Sequence, residues 1–338
     1  MFFAHNERST LESARPFVRI SFGMASDPKA WNPWHGCKRY SEGCKYCYMY
    51  YLDATRGVPE KSFEIKKTND FLKPLAKYRD GQYKYPSGSY FRINMTSDTF
   101  LEEADEWREE MWRIIKARPD IHFYILTKRV PRIKKCLPED WGEGYENVEF
   151  QITVENQRAF DERWPIFKDI PAKHKGFNVS PLIGPVDIRP ALETGQIELV
   201  YLAGEGYGSD RECRYEWVKK VSDDCMEFGV NFIFNSTGTN FVKNGKLYFI
   251  KSPGLQAVQA YRSKLSHYYG RPKYDLYSPY DGHLLQESEL VARRFNLNRC
   301  LTCTSFEDCV GCQDCGNCKK VELVEYGDIV RIRKEKGL

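Results

Sequence analysis

"EEADEWREEMWRIIKARPDIHFYILTKR", residues 102–129, holds one complete structural unit. Its first part sets Trp107, Met111, Ile114 and Ile115 on one face at helical spacing, which predicts a helix from Glu103 to Ala117. Its second part, Ile121 to Leu126, is a β-branched and aromatic run of strand length. The polar triplet Thr127-Lys128-Arg129 follows at once. Helix, strand and polar loop in that order are the repeating unit of a β/α fold.

The same unit recurs in both directions. Further strands are expected at Val18 to Phe22, Tyr90 to Asn94, Val148 to Ile152, Gly176 to Val179, Leu199 to Ala203 and Asn231 to Asn235. A second clear helix is "YEWVKKVSDDCMEFG", residues 215–229, with Trp217, Val221, Cys225 and Phe228 in register and Gly229 as its stop. Strands that alternate with helices argue for a parallel sheet, because parallel strands need crossover connections. Six or seven units favour an α/β fold of TIM type, a full or partial (β/α) barrel, over an open doubly wound sheet. In such a barrel the chemistry gathers on the loops that follow the strands. Here those loops are "TSD" (96–98), "TKR" (127–129), "TVEN" (153–156), "SPLIGP" (180–185) and "GEGYG" (204–208).

The 338 residues suffice for one large α/β domain with a small appendage. A formal net charge of +4 is unlike the strongly basic profile of a dedicated nucleic-acid binder, and leaves an anionic substrate open. The opening "MFFAHNERST" turns polar too early for a signal peptide, and no run reaches the roughly 18 apolar residues of a membrane span. A cytoplasmic chain without a membrane partner is the expectation. The reading divides it into a barrel at 1–255, a Tyr-rich helix and linker at 256–295, and a Cys-rich module at 296–338. Alternation in "VELVEYGDIVRIR" (321–333) around Gly327-Asp328 predicts a terminal hairpin.

Twelve cysteines in a reducing compartment point to metal ligands rather than disulfides. Cys136, Cys213 and Cys225 stand alone and read as buried or idle thiols. Cys37, Cys44 and Cys47 share one aromatic loop, "WHGCKRYSEGCKYCYMYY" (34–51), at C-x6-C-x2-C spacing. One reading is a structural zinc with His35 as fourth ligand. The other is a 4Fe-4S cluster on three thiolates, with one iron left open for S-adenosylmethionine (SAM). Electron transfer into the sulfonium then breaks a carbon–sulfur bond and yields a 5'-deoxyadenosyl radical that abstracts a substrate hydrogen. An aromatic residue beside the last thiol would pack on the adenine, and Tyr46 stands there.

The late cysteines, Cys300, Cys303, Cys309, Cys312, Cys315 and Cys318, follow C-x2-C-x5-C-x2-C-x2-C-x2-C spacing and read as ligands of an auxiliary 4Fe-4S cluster, with zinc as the alternative. Lys128-Arg129 could hold a phosphate or carboxylate in the barrel mouth, or be a solvated basic pair. Tyrosines 261, 268, 269, 274, 277 and 280 could stack on bases, and more simply pack a linker onto the barrel.

"WNPWHGCKRYSEGCKYCY", "NMTSDTF", "FYILTKR", "ITVEN", "SPLIGPVD" and "LAGEGYG", in this order, resemble the phage-associated three-Cys-motif family, a branch of the radical SAM superfamily. The resemblance implies a radical SAM barrel with Cys37, Cys44 and Cys47 on the catalytic cluster. By similarity of position, Ser97 and Asp98 would receive the SAM amino group, Thr153 and Glu155 the ribose, and Glu205 SAM or substrate. Asp98, Lys128, Arg129 and Glu205 are the candidate catalytic residues. Ser180 stands where the family often carries glutamate, and keeps a candidate cofactor contact. Such an enzyme needs an electron donor such as flavodoxin or ferredoxin. The substrate expectation is nucleic acid or nucleotide rather than peptide. A non-catalytic zinc-binding module for nucleic acid or protein is the alternative.

Overall fold

The computed structural model describes residues 29–270, 272–290, 294–296 and 323–337. The strand expected at Val18 to Phe22 and the six late cysteines lie outside them. In chain order the first elements are β1 (Lys29–Trp31), β2 (Trp34–His35), α1 (Tyr48–Thr55), β3 (Lys66–Lys67), β4 (Tyr90–Ile93), α2 (Asp105–Lys116), β5 (His122–Thr127), α3 (Ile133–Cys136), β6 (Val148–Thr153) and α4 (Gln157–Phe167). Then come β7 (His174–Leu182), α5 (Arg189–Leu192), β8 (Ile197–Gly204), β9 (Glu212–Arg214), α6 (Tyr215–Glu227), β10 (Asn231–Ser236), β11 (Asn240–Lys243), β12 (Lys246–Phe249) and α7 (Pro253–Arg262). The last are β13 (Arg294–Asn296), β14 (Leu323–Glu325) and α8 (Tyr326–Glu335).

Seven strands form one parallel sheet in the order β1-β4-β5-β6-β7-β8-β10. Spatial order follows chain order, so the sheet has no point where the winding reverses. That is the topology of a partial β/α barrel and not of a doubly wound sheet. One face carries Phe91, Ile93, Phe123, Ile125, Phe150, Ile152, Phe177, Val179, Val200 and Leu202, all fully buried in the core with Met111, Ile115 and Phe160 from the covering helices. The alternate residues on the opposite face include Arg92, His122, Tyr124, Glu149, Gln151 and Asn178. The filled interior of a closed barrel is dominated by Val, Ile and Leu. This inner face is polar instead.

Helix α2 buries Met111, Trp112, Ile114 and Ile115 as its spacing demands, while α6 buries Val218, Val221 and Cys225 and stops at Gly229, where φ is +64°. Two features depart from expectation. A second sheet, β12-β11-β9, inserts around β10. The predicted terminal hairpin does not form: β14 pairs antiparallel with the distant β13, and the chain continues as α8, where Arg331 bonds Glu335 one turn on. Tyr326, Ile329 and Val330 stand at helical spacing, and a strand of three residues finds a better partner upstream than across Gly327-Asp328.

Among the tyrosines of the linker, Tyr274 packs under the sheet, its ring centroid 3.7 Å from His122 and 3.9 Å from His174. Tyr261, Tyr269 and Tyr280 are exposed.

Candidate functional site

The Cys37–Cys47 loop lies across the carboxyl-terminal ends of the sheet strands and is pinned there from four of them. After β4, the Ser97 hydroxyl donates to the Gly36 carbonyl at 2.5 Å. After β5, Arg129 donates to the Lys38 carbonyl at 2.8 Å. After β6, Glu155 accepts from Ser41 and Asn156 donates to the Glu42 carboxylate at 2.6 Å. After β8, Arg211 donates to the Glu42 carbonyl at 3.1 Å. From α1, Tyr50 donates to the Cys37 carbonyl at 2.7 Å, and Tyr48 to the Met95 carbonyl. Gly36 can take part because φ is +89° and a Cβ there would stand 2.7 Å from the Glu64 carbonyl oxygen.

Each expected site residue except Ser180 is bound into this frame. Asp98, 6% exposed, accepts from Thr127 at 2.7 Å, the Phe100 amide at 2.9 Å and the Lys128 amide at 3.1 Å, and its carboxylate stands 3.3 Å from Arg129. Lys128 donates to Thr153 at 3.2 Å and stands 3.9 Å from Glu155. Arg163 donates to both the Thr153 carbonyl, at 2.6 Å, and Glu155, at 2.5 Å. Burial pushes the Glu155 carboxyl up, but Lys128, Arg163 and Ser41 together outweigh it and hold the group below its ordinary value. Glu205 accepts from Ser209 at 2.5 Å and is clasped by Arg211. Ser180 is half-buried where the β7–β8 register shifts between Val179 and Leu182. Tyr46 donates to Asp210 at 2.8 Å and carries Arg211 5.6 Å above its ring.

All three thiols are half-buried. Burial pushes Cys37 up to about 12, Asp98 adding to the rise while Arg129 opposes it, and burial likewise raises Cys47. Cys44 and Cys47 both act on Cys37, so the three share one electrostatic neighbourhood. Among the described residues, no group of three or more His, Cys, Asp or Glu side chains converges as ligands to one ion would. Four ligands on one zinc bring sulfurs to about 3.8 Å of each other, from a tetrahedron with bonds of about 2.3 Å. A four-iron cube takes one thiolate per iron at separate corners. His35 spends its Nε2 on Asp53 at 2.9 Å. Arg129 and Lys128 stand where they would balance thiolate charge on Cys37 and Cys47.

A family model described as a protein of unknown function (DUF5131) matches residues 25–288, well over half of the chain. The chain belongs to the DUF5131 family. No curated protein and no solved structure matches it. The matched region of this DUF5131 protein spans the whole seven-stranded sheet and the Cys37–Cys47 loop, and ends before the late cysteines.

Sequence reading missed Arg163, Arg211, Ser41 and Gly43. Arg163 had a signal: it sits on the apolar stripe of α4 beside Phe160, Trp164 and Phe167, where a cation needs a buried partner. Gly43 had none, because its requirement is tertiary: a Cβ there would stand 2.6 Å from the Glu155 side chain. Cys213 and Cys225 are buried in the core as expected, and Cys136 lies beside Arg108 and Arg132 on the outer surface.

Proposed function

We propose that this DUF5131 protein is a radical SAM enzyme. One observation carries the reading: the loop that bears three thiols is held over the mouth of a parallel β/α sheet by residues that follow four of its strands. A 4Fe-4S cluster with an open iron, bound to Cys37, Cys44 and Cys47, would supply reductive cleavage of SAM and a radical able to abstract hydrogen.

The chain's own residues have definite tasks in this reading. Arg129, bridging Asp98 and the Lys38 carbonyl, sets the Cys37 end of the loop and offsets thiolate charge. Lys128 offsets thiolate charge at Cys47, where burial raises the thiol and Lys128 opposes the rise. Asp98 acts through Arg129 and is a positioning residue, since four donors already surround its carboxylate. Ser97 and Glu155 fasten the loop directly, Glu205 holds Arg211 against it, and Thr153 holds Lys128. Tyr46 stays beside the last thiol, where an adenine ring would pack.

The six late cysteines would hold an auxiliary 4Fe-4S cluster, zinc being the alternative. The described strands on either side of that segment, β13 and β14, pair antiparallel. A cytoplasmic location, a flavodoxin-like or ferredoxin-like electron donor and a nucleotide or nucleic-acid substrate complete the reading. No helix among the described residues is long and apolar enough to cross a membrane.

The test is anaerobic purification with iron and sulfide analysis, paramagnetic resonance of the reduced protein, and product analysis with SAM. The expected result is a 4Fe-4S signal altered by SAM together with 5'-deoxyadenosine formation, both lost in Cys44→Ala. Zinc in place of iron at this loop, or reduced cluster that leaves SAM intact, overturns the proposal and restores the zinc-module alternative.

A further inference from the structure

Arg92 lies on the polar inner face of the sheet, in the middle of β4. Its Nε is buried without a hydrogen-bond partner among the described residues. Every other cation named at the mouth has an acid or a carbonyl to hold. Arg92 is half-buried, and an Nε–H shut off from water without an acceptor carries a desolvation cost that a bound anion would offset. Arg92 and Tyr124 are register neighbours on β4 and β5. From there a single layer runs across the face: the Tyr124 hydroxyl bonds Gln151 at 3.2 Å, and Asn178 donates to the Tyr124 oxygen at 3.1 Å. The Asn178 Oδ1 at the far end is buried with no donor on it. Burial raises the phenols of Tyr90 and Tyr124, and the Arg92 charge opposes that rise in both, so the guanidinium stands close to these rings. Tyr274 closes the layer below, beside His122 and His174. The cysteine loop covers the strand ends above.

We infer that this layer is a binding site for a planar, phosphate-bearing ligand of nucleotide class, with Arg92 clasping the phosphate and Asn178 accepting a hydrogen bond from the ring. Arg presents a rigid fork of donors that matches phosphate oxygens two at a time. Tyrosines supply faces and edges for a planar ring. A bare acceptor on Asn178 asks for an N–H donor, which amino and imino groups of bases provide. The inference deepens the substrate part of the reading above and rests on it for the reaction, but not for binding.

Binding is measured by calorimetry on the full-length chain, without reductant. The probes are the four ribonucleoside 5'-monophosphates, the matching nucleosides, inorganic phosphate, phenylalanine as an aromatic carboxylate, and a single-stranded hexanucleotide. At least one monophosphate is expected to bind about tenfold to a hundredfold tighter than its nucleoside and than phosphate, the range that charge-assisted bonds supply. Arg92→Met is expected to erase that preference, and Arg92→Lys, which keeps charge and loses the fork, to fall between. Should Arg92→Met fail to fold, Arg92→Lys decides alone, and unchanged affinity there overturns the site. Equal binding of nucleoside and monophosphate, phosphate binding as tightly as any nucleotide, phenylalanine binding in preference, or no binding of any nucleotide probe also overturns it. A hexanucleotide that binds through Arg92 while free monophosphates bind more weakly supports the site and identifies a polymer end as the source. SAM cleavage by the wild-type chain is read separately. Nucleotide binding without cleavage keeps this site and removes the radical reading; cleavage without nucleotide binding does the reverse.

Discussion

Two glutamates belonging to the same strand and its loop behave in opposite ways. Glu149, near the floor of the sheet, is 3% exposed, and Glu155, just past the other end of β6, is 1% exposed. Glu155 is held ionised by Arg163 and Lys128. Burial pushes Glu149 up to about 7, against one bond from Gln151 and the influence of His174. Equal burial thus gives unequal charge, and the neighbouring cations decide which. The mouth is a lattice of ion pairs that fastens a loop. The floor, where Glu149 meets Gln151, His122, His174, Tyr274 and the charge of Glu198, is a sealed and nearly neutral patch.

The contrast breaks most sharply at Glu155→Ala. Removing one partner of a buried pair leaves Arg163 uncompensated, and the expected loss is about 3–5 kcal/mol in urea unfolding. A loss below about 1 kcal/mol would mean that the mouth lattice is not under tension of this kind.

At the floor the sign is reversed. A folded-state pKa above the ordinary 4.5 gives a contribution fully present below about 4.5 and lost as pH rises through about 7, at most about 3.5 kcal/mol at roughly 1.4 kcal/mol per pH unit. Glu149→Gln cannot titrate. Its thermal melts should be flatter than wild type between those pH values, with the variant gaining relative stability at pH 8. Parallel pH profiles for the two proteins would place a compensating cation at the floor.

Smaller effects sharpen the account of the loop. Gly43→Ala forces a Cβ to 2.6 Å from the Glu155 side chain, which packing must relieve at a cost of about 2 kcal/mol. On the cluster reading proposed above, its iron content after reconstitution should fall with stability, and iron retention at wild-type level would uncouple the loop from β6. Ser97→Ala removes one hydrogen bond to the Gly36 carbonyl and should cost about 1 kcal/mol in the same unfolding assay. A larger loss would make Ser97 the principal anchor.

Much of the fold was legible because its signals are local. The apolar stripe of α2, the stop at Gly229 and the runs that became β4 to β8 and β10 each follow from residues within a turn or a pleat of each other. The β9–β11–β12 sheet was not legible, since its strands are three or four residues long and one pairing joins segments far apart in the chain. The terminal hairpin failed for a related reason: a short run fits either period, and pairing with β13 decided it. At the site, residue types were read in the correct loops, but their partners were not. Asp98 and Glu205 look in sequence like free carboxylates, whereas Arg129 and Arg211 occupy them in the folded chain.

What the amino-acid order determined unaided is the alternation of strand and helix, the parallel sheet it compels, and three thiols delivered to one loop, because hydrophobic period and cysteine spacing are properties of short segments. Tertiary structure alone decided which acids keep their charge, which carbonyls of the loop are clasped, and that the Arg92 Nε is buried without a partner among the described residues. Those outcomes depend on distances between side chains from different strands, and Coulomb and hydrogen-bond energies change over ångströms that no linear spacing specifies.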